Sequence, residues 1–271
     1  MDDDLRWNST NLVGLPAGLI SSVAFNIHPQ LLNIAGTREA HRSLFRLLSD
    51  VSVMAQAADV FRHYMETNFG ITSLFSAAKT NTSGRRRFYS SYLKVLEGWG
   101  FDSNGPQGAV LKGWVESRFG LVPTYHKAPL DRFPSPAWVS YLEEKVSSRF
   151  QNNNIHAQLD LLYEYCQWAI RRFGLPSRDW LTLWRGVNRY DEQQVVEGAL
   201  RSGDCVVHLN NLVSFTTSRE RADEFGDWIL EAQVPAVKII FFPGLLSGSA
   251  LAGEGEVLAL GGYYQVKASY A

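Results

Sequence analysis

Arg185 has the chemistry and the position of an anion-binding residue. It ends a short apolar run, Leu181 to Trp184, that predicts a β-strand, and Gly186 follows it. A guanidinium keeps its charge and offers five donors in a planar fork, which suits a phosphate or a pyrophosphate. Gly186 would also let the backbone approach such a ligand closely. The alternative for Arg185 alone is a strand-end arginine in a surface ion pair.

A run of small hydroxyl side chains begins about thirty residues later. On a strand, such hydroxyls can bond ribose or phosphate oxygens and can orient a neighbouring carboxylate. Thr217 or Ser218 has a second use, because either residue could cap a helix that begins near Arg219. The run consists of Ser214, Thr216, Thr217 and Ser218 around Phe215.

Glu254 and Glu256 form a Glu-x-Glu pair at the start of another apolar run. Residues two apart on a strand point to the same face, so the two carboxylates would lie side by side. Repulsion between them favours one protonated and one ionised group, an arrangement common in acid and base catalysis. The alternative is a pair of exposed glutamates at a strand start.

Together these three segments resemble the Arg/Ser/Glu class of mono-ADP-ribosyltransferases. In that class, three strands supply an arginine, a Ser-Thr-Ser-like run and a Glu-x-Glu. The hydroxyl run here reads Thr216-Thr217-Ser218, so the usual first serine is replaced by Thr216 unless Ser214 takes its place. The order and the spacing of the three segments fit the class.

Three further segments extend the likeness over nearly the whole chain. They are Asn11 to Leu19, Phe25 to Pro29 and Arg219 to Gly226. With them the chain resembles the NAD-dependent dinitrogenase reductase ADP-ribosyltransferases of nitrogen-fixing bacteria. The resemblance implies an enzyme that moves ADP-ribose from NAD to an arginine of the nitrogenase iron protein, inactivating it and regulating nitrogen fixation. It also leaves a regulatory signalling protein as a second possible partner.

The resemblance implies a role for each candidate residue. Arg185 would hold the pyrophosphate of NAD, and Glu256 would stabilise the positive charge that develops on the ribose as nicotinamide leaves. Glu254 would engage the acceptor arginine and help to remove its proton. The implied catalytic residues are Arg185, Glu254 and Glu256, and the implied NAD-binding residues are Arg185, Gly186, Ser214, Thr216, Thr217, Ser218 and Glu256.

Two other functions fit the same residues. An NAD glycohydrolase, or a transferase that modifies free guanidines, would release nicotinamide without any protein acceptor. A non-catalytic protein of the same fold that docks on nitrogenase would be consistent with the altered hydroxyl run. The three functions differ in whether nicotinamide is released and in whether a protein is modified.

Composition argues against several other classes. A formal net charge of −1 on 271 residues disfavours nucleic acid as the main partner. The acidic start, Met1 to Asp4, does not resemble a signal peptide, and no apolar stretch approaches the roughly 18 residues of a membrane span. The histidines and the two cysteines, Cys166 and Cys205, lack metal-ligand spacing, so we expect no metal site. Two isolated cysteines also favour a reducing, cytoplasmic location.

The hydrophobic pattern predicts an α+β protein. Residues 1–175 are predicted to be mainly helical after a loop-rich start, and we expect them to form a wall of the cleft and to recognise the target. Residues 176–271 are predicted to be the β-rich, NAD-binding catalytic part of one compact unit. The resemblance implies that this part consists of two small β-sheets flanking an NAD cleft.

The same pattern predicts the individual elements. Thr37 is the predicted cap of a helical stretch to Glu66 that breaks near Ser49, and residues 11–33 are predicted to be mostly loop. In the second half, helices are predicted at about 191–202 and 219–225. The other predicted helices are near 109–119, 136–150 and 155–173, and the predicted strands are 180–184, 206–209, 213–217, 228–234, 237–242, 256–260 and 263–268.

Overall fold

The computed structural model describes residues 11–71, 91–147, 153–174, 179–188, 194–247 and 255–270. The helices in these ranges are α1 (Ala17–Ile20), α2 (Val23–Ile27), α3 (Thr37–Ala40), α4 (Arg42–Ser49), α5 (Met54–Phe69), α6 (Tyr92–Phe101), α7 (Pro106–Phe119), α8 (Pro136–Ser147), α9 (Asn153–Phe173) and α10 (Arg219–Asp223). The strands are β1 (Tyr125–His126), β2 (Ala128–Pro129), β3 (Trp180–Val187), β4 (Gln194–Gly198), β5 (Asp204–Thr216), β6 (Trp228–Pro235), β7 (Ile239–Phe241) and β8 (Glu256–Tyr270).

Glycines and a proline set the ends of the longer helices. α5 ends at Gly70 with φ 62°, and α7 ends at Gly120 with φ 74°. Both values are left-handed, a conformation that glycine adopts without steric cost. Pro106 opens α7, where its missing N–H breaks no helical hydrogen bond. The break predicted near Ser49 is confirmed, because α4 ends there and α5 begins at Met54.

The predicted cap at Thr37 is wrong. Thr37 is the first residue of α3, and the cap position belongs to Gly36, whose φ of 80° a threonine would adopt only with strain. The segment 11–33 is mostly loop as predicted, but it contains the short helices α1 and α2. Ser22 caps α2 by accepting a hydrogen bond from Phe25 N at 3.1 Å. Helices of four and five residues are too short to produce a periodic signal.

Strands β3 to β8 form one antiparallel sheet in the order β4-β5-β3-β6-β8-β7, with a further pairing between β5 and β8. β5 and β8 pair from Asp204 and Lys267 to Thr216 and Glu256, with a register shift between Leu209 and Leu212. Each of the two strands therefore joins two runs that the pattern predicts as separate short strands. Gly261 makes room for the shift, because a Cβ there would lie 1.5 Å from the main-chain oxygen of Asn210.

The helix predicted at residues 191–202 is wrong within its described part. Residues Gln194–Gly198 are β4, which pairs antiparallel with β5, and only Leu200–Ser202 form a turn of 3-10 helix. Val195 and Val196 are β-branched and lose rotamer freedom in a helix. The edge of β5 also offers backbone hydrogen bonds that an isolated segment lacks. Pairing with the next strand, β5, therefore outweighs the local helical pattern.

Helices and sheet together confirm the α+β class. The described strands from β3 onward hydrogen-bond into one six-stranded sheet. The division into two small sheets flanking a cleft is therefore not confirmed by the pairing and stays a prediction. Within the described ranges, no helix has the length and apolar character needed to cross a membrane.

α9 connects the helical half to the sheet. The Tyr163 hydroxyl donates to the Val237 main-chain oxygen at 2.8 Å. Gln167 Nε2 donates to the main-chain oxygens of Ala236 and Ile239 at 3.0 and 2.8 Å. Buried polar groups are costly unless they are hydrogen-bonded, so these contacts specify how α9 lies against β7. One contiguous cluster of buried apolar side chains includes residues of both halves.

Lys238 is buried where the N-terminal segment meets β8. Its Nζ donates to the Gly261 main-chain oxygen at 3.3 Å and lies 5.5 Å from the centre of the Phe25 ring and 4.8 Å from that of Tyr264. These surroundings solvate a cation poorly, and burial therefore lowers the pKa of Lys238 to about 7. Burial also raises the pKa of Tyr264, so its phenol stays neutral.

Replacing Lys238 by methionine should remove a pH dependence of stability. Because unfolding returns the pKa of Lys238 to about 10.4, the unfolded chain binds a proton above pH 7 that the folded protein does not. The free energy of unfolding should therefore rise with pH between about 7 and 10, with a slope approaching about 1.4 kcal/mol per pH unit from this group. Urea unfolding between about pH 7 and pH 9 should give a smaller slope for K238M, and equal slopes would contradict this account.

Candidate active site

A cavity of about 520 Å³ lies between the end of α6 and the sheet. The helical half contributes residues 99–103 and Tyr125, and the sheet contributes the adjoining ends of β3, β5 and β8. Its volume is within the range of small-molecule sites. The sequence-predicted residues that line it are Arg185, Gly186, Ser214, Thr216 and Glu256.

The register of β5 and β8 places Ser214 beside Glu256. Thr216 lies directly opposite Glu256, and Ser214 lies opposite Leu258. Ser214 and Glu256 are therefore diagonal neighbours on the same face of the sheet. The Ser214 hydroxyl donates to Glu256 Oε1 at 2.5 Å, and Glu256 is only 9% exposed. A hydrogen bond to a carboxylate is short and strong, so it orients the Glu256 side chain.

The indole of Trp99 reaches the same hydroxyl from the helical half. Its Nε1 donates to Ser214 Oγ at 2.9 Å, and the side chain is buried near the end of α6. Trp99 is not among the residues predicted from the sequence, because one tryptophan between two glycines carries no motif. Other lining residues that were not predicted include Tyr125, Asn188, Ala222 and Phe225.

Arg185 enters the cavity from the end of β3. That strand pairs with β6 along its length and meets β5 where Trp184 lies opposite Thr216. The guanidinium Nη1 donates to the Ser214 main-chain oxygen at 2.9 Å. The side chain is half-buried, so its charge is screened less than that of a surface arginine. A permanent cation therefore lies beside the Ser214 and Glu256 pair.

The other three predicted hydroxyl residues lie in different places. Thr216 is buried, lines the cavity and accepts a hydrogen bond from Ser218 N at 3.2 Å. Thr217 is exposed and lines a neighbouring groove. Ser218 caps α10 by accepting from Arg221 N at 3.2 Å, which confirms the capping prediction for this residue. Of the four predicted hydroxyl residues, Ser214 and Thr216 therefore line the cavity.

Gly186 allows the end of β3 to lie directly against α10. A Cβ at Gly186 would lie 2.0 Å from the Ala222 main-chain oxygen. On the facing segment, a Cβ at Gly226 would lie 2.4 Å from the Val187 main-chain nitrogen. Both distances are far inside van der Waals contact. Backbone packing therefore requires a glycine at position 186, whatever contact Gly186 makes with a ligand.

A larger groove of about 1070 Å³ shares Trp184 with this cavity and has walls from β3, β6 and β8. Thr217 lines it, whereas the carboxylate, serine and arginine described above line the smaller cavity. We therefore place the candidate active site in the smaller cavity.

Glu254, the other predicted catalytic glutamate, lies outside the described residues. In the described part of the chain, no group of three or more His, Cys, Asp or Glu side chains could hold a metal ion.

Comparison with known proteins identifies the family. The statistical model of the Dinitrogenase reductase ADP-ribosyltransferase (DRAT) family matches residues 10–268. The chain therefore belongs to this family, and the resemblance drawn from its sequence segments is confirmed. The chain is also 51% identical over 264 residues to the NAD(+)--dinitrogen-reductase ADP-D-ribosyltransferase of Rhodospirillum rubrum, an alignment that covers 97% of this chain and 95% of that protein. No solved structure matches the chain.

Replacing Gly186 by alanine should destabilise the protein. The new Cβ would press on the Ala222 main-chain oxygen, which can move only if α10 shifts, and overpacking of this kind costs about 1–3 kcal/mol. Urea unfolding should show the loss. Thr182→Ser, on an exposed position of the same strand, is the matched control and should change stability by less than about 0.5 kcal/mol. A G186A protein as stable as the wild type would show that α10 is not packed as described.

Proposed function

We propose that this chain transfers ADP-ribose from NAD to an arginine of dinitrogenase reductase, the nitrogenase iron protein, and that the modification inactivates the acceptor and so regulates nitrogen fixation. Membership of the family and 51% identity to a relative named for this reaction support the donor and the acceptor protein. The structural observation that carries the proposal is the hydrogen bond from Ser214 to Glu256 beside Arg185, within one cavity.

The groups in the cavity match the parts of NAD. Arg185 is the group for the pyrophosphate, because its charge is permanent and its fork can donate two parallel hydrogen bonds. The rings of Tyr125 and Phe225 supply aromatic surface for a nicotinamide or adenine ring. The hydroxyl of Thr216 and the carboxylate of Glu256, which line the cavity, would bind ribose hydroxyls.

Glu256 is the group that stabilises the transition state in this proposal. When the bond between ribose C1′ and the nicotinamide nitrogen breaks, the electron pair leaves with nicotinamide and positive charge develops on the ribose. A buried, ionised carboxylate hydrogen-bonded to the ribose stabilises that charge more than one in open water. Ser214 holds the carboxylate in place beforehand, so less reorganisation is needed during the reaction.

A guanidine nitrogen of the acceptor arginine then bonds to ribose C1′ and loses a proton. A protonated guanidinium is a poor nucleophile, so a second carboxylate that engages it assists this step. Glu254 stays the predicted group for this role, as the family resemblance implies. The added ADP-ribose is bulky and doubly negative and would block docking of the modified protein. A regulatory signalling protein and a cytoplasmic location also stay predictions.

The proposed cleft architecture divides the sheet at the register shift between Leu209 and Leu212. On one side of the shift, the β5–β8 ladder is flanked by β4 and β6; on the other side, it is flanked by β3 and β7. These two groups of strands, which the pairing of β3 with β6 joins, would correspond to the two small sheets. Residues 1–175 would form a wall of the cleft, through the lining segment 99–103, and would recognise the target. Residues 176–271 would bind NAD.

Glu256→Gln should abolish transfer while the fold and NAD binding are kept. The neutral amide loses the charge that stabilises the ribose cation, and we expect kcat to fall about 100-fold or more with little change in KM for NAD. The assay follows label from NAD into purified dinitrogenase reductase. Glu231→Gln, which makes the same substitution in the larger groove, is the matched control and should keep wild-type activity.

The same assay distinguishes the alternatives. Unchanged labelling of the acceptor by E256Q would contradict the proposed role of Glu256. Nicotinamide release by the wild-type protein without labelling of any acceptor would indicate an NAD glycohydrolase. Binding to dinitrogenase reductase without nicotinamide release would indicate a docking protein.

Arg185→Lys should weaken NAD binding. Lysine keeps the positive charge but loses the planar fork, and the loss of a charged hydrogen bond corresponds to roughly a tenfold or greater rise in KM for NAD. We expect kcat to change less than KM. Arg172→Lys, on the exposed end of α9, is the control with the same substitution and should leave KM unchanged. Equal KM values for R185K and the wild type would exclude Arg185 from the NAD site.

A further inference from the structure

We propose that Trp99 is a positioning residue for ADP-ribose transfer, whose indole N–H directs the Ser214 hydroxyl proton toward Glu256. The inference rests on the proposed function, because it concerns the alignment of the same carboxylate. It adds a contribution from the helical half of the chain, in addition to the three strand segments that carry the resemblance to the Arg/Ser/Glu class.

The direction of the hydrogen bonds carries the inference. An indole N–H can only donate, so Ser214 Oγ must be the acceptor in its 2.9 Å contact with Trp99 Nε1. A serine hydroxyl has one proton, and here it is donated to Glu256 Oε1 at 2.5 Å. The serine oxygen has two lone pairs, and the indole N–H occupies one of them. The hydroxyl settings that would point the Ser214 proton at the indole are therefore excluded, which favours the setting that donates to Glu256. Consecutive hydrogen bonds also polarise one another, which strengthens the one to the carboxylate.

The structure holds the indole in place. A Cβ at Gly98 would lie 2.4 Å from Gln107 Cγ, so α6 and α7 approach closely beside Trp99. Lys112 Nζ lies 6.0 Å from the centre of the Trp99 ring, near the limit of a cation–π contact. Lys112 is itself buried and donates to Asn104 Oδ1 and to the Tyr125 main-chain oxygen, both at 2.9 Å. The indole therefore has little freedom to turn away from Ser214.

Without the indole N–H, the proton of the Ser214 hydroxyl could rotate to other acceptors, including the oxygens of a bound ribose. The carboxylate of Glu256 would then lose its fixed orientation at the moment when charge develops on the ribose. The contact with Trp99 should therefore affect kcat more than the binding of NAD.

The test is a double-mutant cycle in the full chain with Trp99→Phe and Ser214→Ala, measured as label transfer from NAD to dinitrogenase reductase. Phenylalanine keeps an aromatic ring but lacks the N–H, and we expect W99F to lower kcat about tenfold, with KM for NAD within about twofold of wild type. In the S214A background the indole has lost its acceptor, so W99F should lower kcat by no more than about twofold further. Additive effects of the two substitutions would overturn the proposal.

Two additional variants separate positioning from packing. Trp138→Phe removes an indole N–H that donates to the Leu130 main-chain oxygen at 3.1 Å, away from the cavity, and should keep wild-type kcat. If W99F lowers the melting temperature, site-specific incorporation of 3-benzothienylalanine at position 99 keeps the bicyclic shape without the N–H and should reproduce the loss of kcat. Full activity of that variant would overturn the proposal. Absence of transfer by the wild-type protein would instead refute the proposed function.

Discussion

The hydrogen bond between Ser214 and Glu256 is the contact on which the candidate site depends. It requires the register in which Thr216 lies opposite Glu256, and a slip of one residue would turn Glu256 to the other face of the sheet. β5 and β8 fix that register by pairing over nearly their full lengths, on both sides of the shift at Leu209. Two unusually long strands therefore determine where one carboxylate lies.

Polar contacts also determine how the helices lie on these strands. Asn211, which is buried on β5, donates from Nδ2 to the main-chain oxygens of Lys112 and Leu121 at 2.9 and 2.8 Å. Buried amides are stable only when they are hydrogen-bonded, so such contacts specify one arrangement of α7 on the sheet. α6 packs against α7, and this arrangement brings Trp99 to the cavity. The apolar core alone would tolerate more than one arrangement.

Local patterns predict the parts of this protein that depend on neighbours in sequence. The long amphipathic helices, the α+β class and the Ser218 cap are of this kind. β4 is predicted wrongly, because its strand conformation comes from pairing with β5. In the site, residue type and spacing identify Arg185, Ser214 and Glu256 as candidates. The position of Thr217 in a different groove and the contact of Trp99 with Ser214 could not be predicted in this way, because both depend on the three-dimensional arrangement of the chain.

Trp99 and Ser214 are 115 positions apart in the chain. The hydrogen bonds around Glu256 therefore form only after the helical and β-rich halves have both folded and docked. Proteins open locally at a lower free-energy cost than that of global unfolding, and helix ends are among the first parts to fray. Opening of the last turn of α6 would withdraw Trp99 from the core and misalign the carboxylate while the rest of the buried core stayed intact. Enzymatic activity should consequently be lost earlier than secondary structure when the protein is heated or treated with denaturant.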